Sequence, residues 1–351
     1  MIAGGMHLTR ADGLVWLLAA LGLLVWRIRA WHSLEKLRVA ISVTGILLAG
    51  YFLLMGWWYF RNWEVFGTLF PPGNSKGLWL TSYNELYSYP SDHLTFQYWL
   101  KSGWSAILQA RLTALALNLQ NFLAVQGSVV LIPLILLGVW SKRSEGLVKF
   151  GVLMWGMTLV IMTVVFPFAG SRGGFLHSGA ATQILFWSLA IVGLEESILW
   201  LKKVRGWNVT STMNVFGSFL VLVNLGIAVW FYDQRVIGND HNLIWNQSIE
   251  RYHGISEKLG EIGVPIEALG VVNNPPGYYW ATRRSSIVIP DGDITHTIAA
   301  AERYGASYLL LEENQENLLD LYQSPEDIRN IRYMGTWHGI RIFQIVSANN
   351  Q

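Results

Sequence analysis

Long apolar runs without charge, separated by short polar connections, occupy the first two thirds of this chain. Runs 150–170 and 175–194 contain no Asp, Glu, Lys or Arg, and each is close to the ~20 residues a helix needs to cross a bilayer. The stretch 171–178, SRGGFLHS, predicts a turn at a membrane face that holds Arg172 and His177 where lipid meets water. Upstream, a charge-free run of 14 residues, 13–26, predicts a membrane helix, short or broken. It is not a secretory signal, because Arg27 and Arg29 follow the apolar run and no small-residue cleavage site is visible. Runs 39–60 and 209–232 predict two further spans. Segment 112–141 is too long, and at Asn118, Gln120, Asn121 and Gln126 too polar, for one clean span. It reads as an interfacial piece leading into a span from about residue 126. The expectation is six spans.

Beyond Asp233 the pattern changes. Ile249, Tyr252, Ile255, Leu259 and Ile262 repeat at helical spacing over 246–262. Apolar runs of strand length follow at 268–272, 286–289, 307–311 and 340–346, with helices expected at 294–304 and 316–322. Strands alternating with helices predict a small, partly parallel α/β layer. The fold class is thus an α-helical polytopic membrane bundle, 1–232, followed by a small soluble α/β domain, 233–351. No GxGxxG or P-loop spacing supports a nucleotide site.

Composition agrees. Hydrophobic residues make up 52% of the chain and charged residues 14%, well under the ~25% charged of a soluble domain. Residues 1–232 hold 16 Lys and Arg against 8 Asp and Glu, whereas 233–351 hold 9 against 15. That asymmetry marks a boundary near Asp233 and not a nucleic-acid binder. There are no cysteines, which excludes disulfides, thiolate metal sites and cysteine nucleophiles. Basic residues cluster in alternate connections: Arg27, Arg29, Lys36 and Arg38; Lys142, Arg143 and Lys149; Lys202, Lys203 and Arg205. The positive-inside rule makes these cytoplasmic. The 171–178 turn, the 61–111 connection and everything after Asp233 are then outside, in a multi-pass protein of the cell (plasma or inner) membrane.

Each candidate residue carries two readings. Arg172 and His177 either hold a lipid-linked phosphate, for which the planar arginine fork is suited, or mark a loop by snorkelling and capping. Arg10 and Asp12, in LTRADG, either line the same cavity or form an ion pair that eases burial. Within 61–111, Pro71, Pro72 and Gly73 predict a turn. Trp79, Tyr83, Tyr87 and Tyr89 there either stack on sugar faces, with Glu85, Asp92 and His93 beside them for hydrogen bonding or proton transfer, or form an interfacial aromatic mat. Arg61 and Lys76 meet phosphate, headgroups or water. In the tail, the segment NNPPGYY (273–279), including Asn274 and Tyr278, predicts a rigid turn that either caps the membrane cavity or has no further role.

Taken in order, AGGMHLTRADG before a span, RNWEVFGTLFPPG after one, SRGGFLHSGA between two, and VNNPPGYYWATRRSSIVIPDGD with RYGASYLLLE in the tail resemble the GT-C superfamily of membrane glycosyltransferases. The similarity is closest to the dolichyl-phosphate-mannose–protein mannosyltransferase-like and aminoarabinose-transferase-like proteins. The resemblance implies transfer of a sugar from a polyprenyl-phosphate donor to an acceptor on the outer face, with inversion. Cations hold the leaving phosphate, and an aspartate of the first outer loop is the base. No position here matches that aspartate, so the chain is expected to be the C-terminal part of such an enzyme or a remnant without the chemistry. Expected partners are the donor, membrane lipid and an unidentified acceptor, with no nucleic acid. No cofactor is implied, and a divalent metal is left open. The rival reading is a non-catalytic membrane protein whose outer domain binds a partner or glycan.

Overall fold

A computed structural model describes residues 1–29, 34–71, 73, 76–237, 243–326, 328 and 330–346. Pro72, in the expected 71–73 turn, lies outside the described residues. The chain divides into two compact units: Met1–Thr81 with Phe96–Val221, and Ser82–Thr95 with Leu222–Gln351.

The first unit is helical: α1 Ile2–Thr9, α2 Gly13–Arg29, α3 Leu34–Phe66, α4 Phe96–Lys101, α5 Trp104–Asn121, α6 Ile132–Ser141, α7 Gly146–Val160 and α8 Phe175–Arg205, with α9 Val209–Tyr232 starting here. Among the described residues, four stretches are long and apolar enough to cross a membrane: Leu37–Phe66, Gly146–Val165, Pro167–Arg205 and Val209–Ile237. The other two expected spans fold as shorter apolar helices, Gly13–Val25 and Ile132–Ser141, so among the described residues membrane-length helices number four where six were expected. The shortfall at α6 has a local cause. Ser128 and Val129 take positive φ, 46° and 53°, which breaks the helix before Pro133 helps to restart it. The expected 61–111 connection is also shorter than its sequence suggests, because α3 runs on to Phe66 and α5 begins at Trp104.

Close helix packing organises this unit. A Cβ on Gly138 would lie 1.9 Å from Leu189 O, and one on Gly193 would lie 2.0 Å from Leu134 O. These reciprocal glycines let α6 and α8 approach backbone to backbone, as small residues do in membrane bundles. The 122–141 segment runs parallel to α8. Gln126 meets Gly179, whose absent Cβ makes room for the amide, and Ser141 Oγ donates to Glu196 Oε1 at 2.7 Å. Helix α2 packs its Val15 and Ala19 against Met154, with Trp16, Phe150 and Met157 around them.

The second unit holds α10 Ile244–Glu261, β1 Leu269–Val272, α11 Pro275–Thr282, β2 Ser286–Val288, α12 Ile294–Tyr304, β3 Ala306–Leu311, α13 Leu319–Gln323, β4 Ile331–Trp337 and β5 Ile340–Ile345. The five strands form one mixed sheet in the order β2-β1-β3-β5-β4. Strand β1 pairs parallel with β2 and β3, while β5 pairs antiparallel with β3 and β4. Alternation along β3 serves two cores, as the period of two requires. Leu309 and Leu311 pack with Val271, Ala301 and Phe343. Tyr308 and Leu310 pack with Ile255, Leu259 and Tyr278. The 273–279 segment, expected as a rigid turn, instead opens α11. Pro275 and Pro276 occupy its first turn, and Asn274 Oδ1 caps it by accepting from Gly277 N at 3.2 Å. Strand β4 is an addition to the four expected strands.

Candidate functional site

Two polar patches far apart in sequence meet in the first unit. After α1 the chain passes through an extended Arg10 (φ −154°, ψ 139°) and turns into α2. The turn brings Asp12 to α8, where Ser178 Oγ donates to Asp12 Oδ2 and also stands 2.8 Å from Gly174 O. The other carboxylate oxygen, Oδ1, lies 2.9 Å from Arg10 Nε. The Asp12 side chain is 15% exposed and that of Arg10 43%. The sheltered anion therefore fixes a guanidinium that stays open to solvent or to a ligand.

Ser178 belongs to the first turn of α8, immediately after the bend that carries Arg172 and His177. This bend is a wide turn, Gly170–Gly174, in which Arg172 (φ −88°, ψ 25°) and Gly173 (φ 113°) leave helical geometry. A side chain at Gly173 would be strained, and the ring of His177 lies over it, 3.7 Å from where a Cβ would stand. Arg172 and His177 are both exposed. Of the turn expected at 171–178, residues 171–174 lie in this bend and the other half, 175–178, already forms the first turn of α8.

Polar groups on α1 and α3 extend the cluster. His7 Nδ1 lies 2.5 Å from the Tyr51 hydroxyl, and that hydroxyl lies 2.7 Å from the hydroxyl of Tyr59. Asp12 is near enough to act electrostatically on His7. Tyr51 and Tyr59 are eight residues apart, about two helical turns, so both hydroxyls stand on one face of α3. His7, Tyr51, Tyr59 and Ser178 were not singled out from the sequence. The two tyrosines at this spacing were the available signal.

Deeper in the same unit are Asn118 and Gln126, both fully buried. Asn118 Nδ2 donates to Thr163 Oγ1 at 3.1 Å, and Trp155 Nε1 donates to Gln126 Oε1 at 3.3 Å. Trp187 Nε1 donates to the backbone oxygen of Gln126 at 2.8 Å. Of the four polar residues that interrupt 112–141, Asn118 and Gln126 are therefore internal ties between helices, whereas Gln120 is exposed.

The remaining candidates sit elsewhere. The Arg61 guanidinium lies 5.1 Å above the Trp58 ring, and Lys76 is half-buried. Tyr83, Glu85 and His93 belong to the 82–95 segment, which is part of the second unit. Glu85 is buried and accepts from Ser82 N at 3.3 Å. Tyr83 meets Tyr87 edge-on, with ring centres 6.3 Å apart. His93 Nδ1 lies 3.0 Å from Pro90 O. Asn274 is engaged as a helix cap. Tyr278, expected as a sugar or acceptor contact, is fully buried and shares a hydrogen bond of 3.0 Å with Tyr308. Burial, reinforced by that neighbour, pushes the Tyr278 hydroxyl pKa up, so Tyr278 is a core residue and not a surface contact. No group of three or more His, Asp or Glu placed to hold a metal ion occurs among the described residues.

The first unit thus presents one guanidinium locked by a sheltered carboxylate, beside a helix break that carries a second arginine and a histidine. Comparison with family models, with curated proteins and with solved structures finds no match.

Proposed function

We propose that this chain carries the lipid-phosphate site of a membrane glycosyltransferase that takes a sugar from a polyprenyl-phosphate donor. One observation carries the reading: the Asp12 carboxylate bonds both Arg10 and Ser178, so it ties the α1–α2 turn to the bend of Arg172 and His177. Ionisable groups at a helix break in an apolar bundle are costly to keep, and they mark ligand sites more often than chance. The arginines would hold the phosphate, donating two parallel bonds from a planar fork. Asp12, paired with Arg10 and bonded by a hydroxyl, orients that cation and does not serve as the base.

The packing also supports six crossings. The broken 122–141 segment lies beside α8 from Gly179 to Glu196, a distance of ~26 Å at the usual helical rise, close to the thickness of a hydrocarbon core. Helix α2 lines α7 in the same way. On this reading the basic connections lie in the cytoplasm, and the bend and the C-terminal unit lie outside. Labelled sugar transfer from a polyprenyl-phosphate donor, measured in membranes, tests the assignment. Arg172→Ala should lower the rate about tenfold or more, the scale of a lost charge-assisted contact, with partial recovery in Arg172→Lys. An unchanged rate in Arg172→Ala would overturn it.

A further inference from the structure

The second unit contains a crevice that the lipid-phosphate site does not use. It lies where the three parallel strands end: Asn273 follows β1, Asp291 follows β2, and Gln315 and Asn317 follow β3. Strand β1 connects to β2 on one side and β3 lies on its other side, so the loops after β1 and β3 part at this point. Open α/β sheets bind ligands at such a switch, outside the carboxyl ends of the strands. The remaining wall comes from the distant 82–95 segment, which supplies Asn84 and Tyr87. That wall is anchored by a backbone hydrogen bond of 3.1 Å from Asp291 N to Tyr87 O and a parallel bridge between Ser88 and Asp291. The cavity holds about 180 Å³.

Its chemistry is specific. Asn317 Nδ2 donates to Asp291 Oδ1 at 2.8 Å, and Gln315 Nε2 donates to Asn273 Oδ1, so the side chains are held in fixed planes. Amides donate and accept, and carboxylates accept twice, which is what vicinal hydroxyls require. Tyr87, 42% exposed, offers a ring face of the kind that C–H-rich sugar faces pack against. Asp291 and Glu316 are the charges of the lining, and no Lys, Arg or His belongs to it among the described residues. Phosphates and carboxylates are therefore disfavoured. We propose that this crevice binds a neutral sugar unit of a glycan, independently of the phosphate site.

The test is saturation-transfer NMR on the full chain in detergent, without any donor lipid, so its outcome does not depend on transferase activity. The probes are methyl glycosides of glucose, mannose, galactose and arabinose, with inorganic phosphate and glucose 6-phosphate as anionic comparisons. At least one glycoside should bind in preference to both anions. Asn317→Leu and Asn84→Ala should each weaken it about tenfold, the scale of one lost hydrogen-bonding group, while Arg332→Ala on β4 leaves it unchanged. Asn84 lies on an exposed turn, so its variant decides the matter should Asn317→Leu fail to fold. No glycoside binding, stronger binding of an anion, or binding that survives Asn84→Ala overturns the proposal.

Discussion

Asp293 shows how much one side chain can organise locally. It stands at the N-cap of α12, where its Oδ1 accepts from Thr295 N at 3.0 Å and lies 2.8 Å from His296 Nδ1. The side-chain bonds from Thr295 and then His296 hold its carboxyl at about 2, below its ordinary 3.8. A depressed folded-state pKa favours the folded unit above the unfolded-state value, and that contribution is lost as pH falls through the folded one. The denaturation midpoint of the wild type should therefore exceed that of Asp293→Ala at neutral pH. The gap should close between about 3.8 and about 2. A gap that persisted unchanged at the acid end would show that the cap does not depend on charge. Asp12 differs in kind, because its partners lie 2 and 166 residues away. Its hydrogen bonds join elements, whereas those of Asp293 finish one.

At the scale of elements, what the sequence discloses follows from local periodicity. The charge-free runs became helices, and α12 matches its expected limits because Asp293 starts it and Gly305, at φ 75°, ends it. Four strands were legible as apolar runs. Strand β4 was not, since polar positions alternate with its buried ones and leave no continuous apolar run, and Gly335 interrupts its register with β5. The kink at 127–131 was hidden too, because Ser128 and Val129 carry no residue-type signal for positive φ. The contact of Asp12 with Ser178 was legible only as two separate polar patches, because sequence separation carries no register. Glycines gave a signal that went unread: Gly138 and Gly193 sit in apolar helices where only a missing Cβ permits the α6–α8 approach. Gly138→Ala or Gly193→Ala must push two backbones apart and should destabilise the bundle by about 1–3 kcal/mol, the usual cost of overpacking. Gly156→Ala, with nothing within 4 Å of the added carbon, should be neutral or mildly stabilising through helix propensity. Thermal unfolding in detergent compares the three. Equal midpoints for Gly138→Ala and Gly156→Ala would remove the close crossing from the account.

For the whole molecule, the decisive quantity is which ends of the helices face which compartment. Helices α7 and α8 form an antiparallel pair about the Phe166–Gly174 bend, since Trp155 packs against both Phe175 and Phe186 and Gly151 meets Leu185. The far end of this pair carries Lys142, Arg143, Lys202, Lys203 and Arg205, with Ser141 bonded to Glu196 beside them. A cluster of basic residues at one end of a bundle and a sparse, glycine-rich bend at the other is the distribution that positive-inside insertion produces. Because the chain has no cysteine, a single introduced thiol reports its own location without background. In intact cells, a membrane-impermeant maleimide should modify Ser171→Cys and Glu313→Cys but reach Ser144→Cys only after permeabilisation. The Glu313 result is expected if Val209–Ile237, which is long and apolar enough to do so, makes one further crossing as proposed. Labelling of Ser144→Cys alone before permeabilisation would invert the bundle. It would place Arg10, Asp12 and Arg172 on the cytoplasmic face, where a sugar donor presented outside could not reach them.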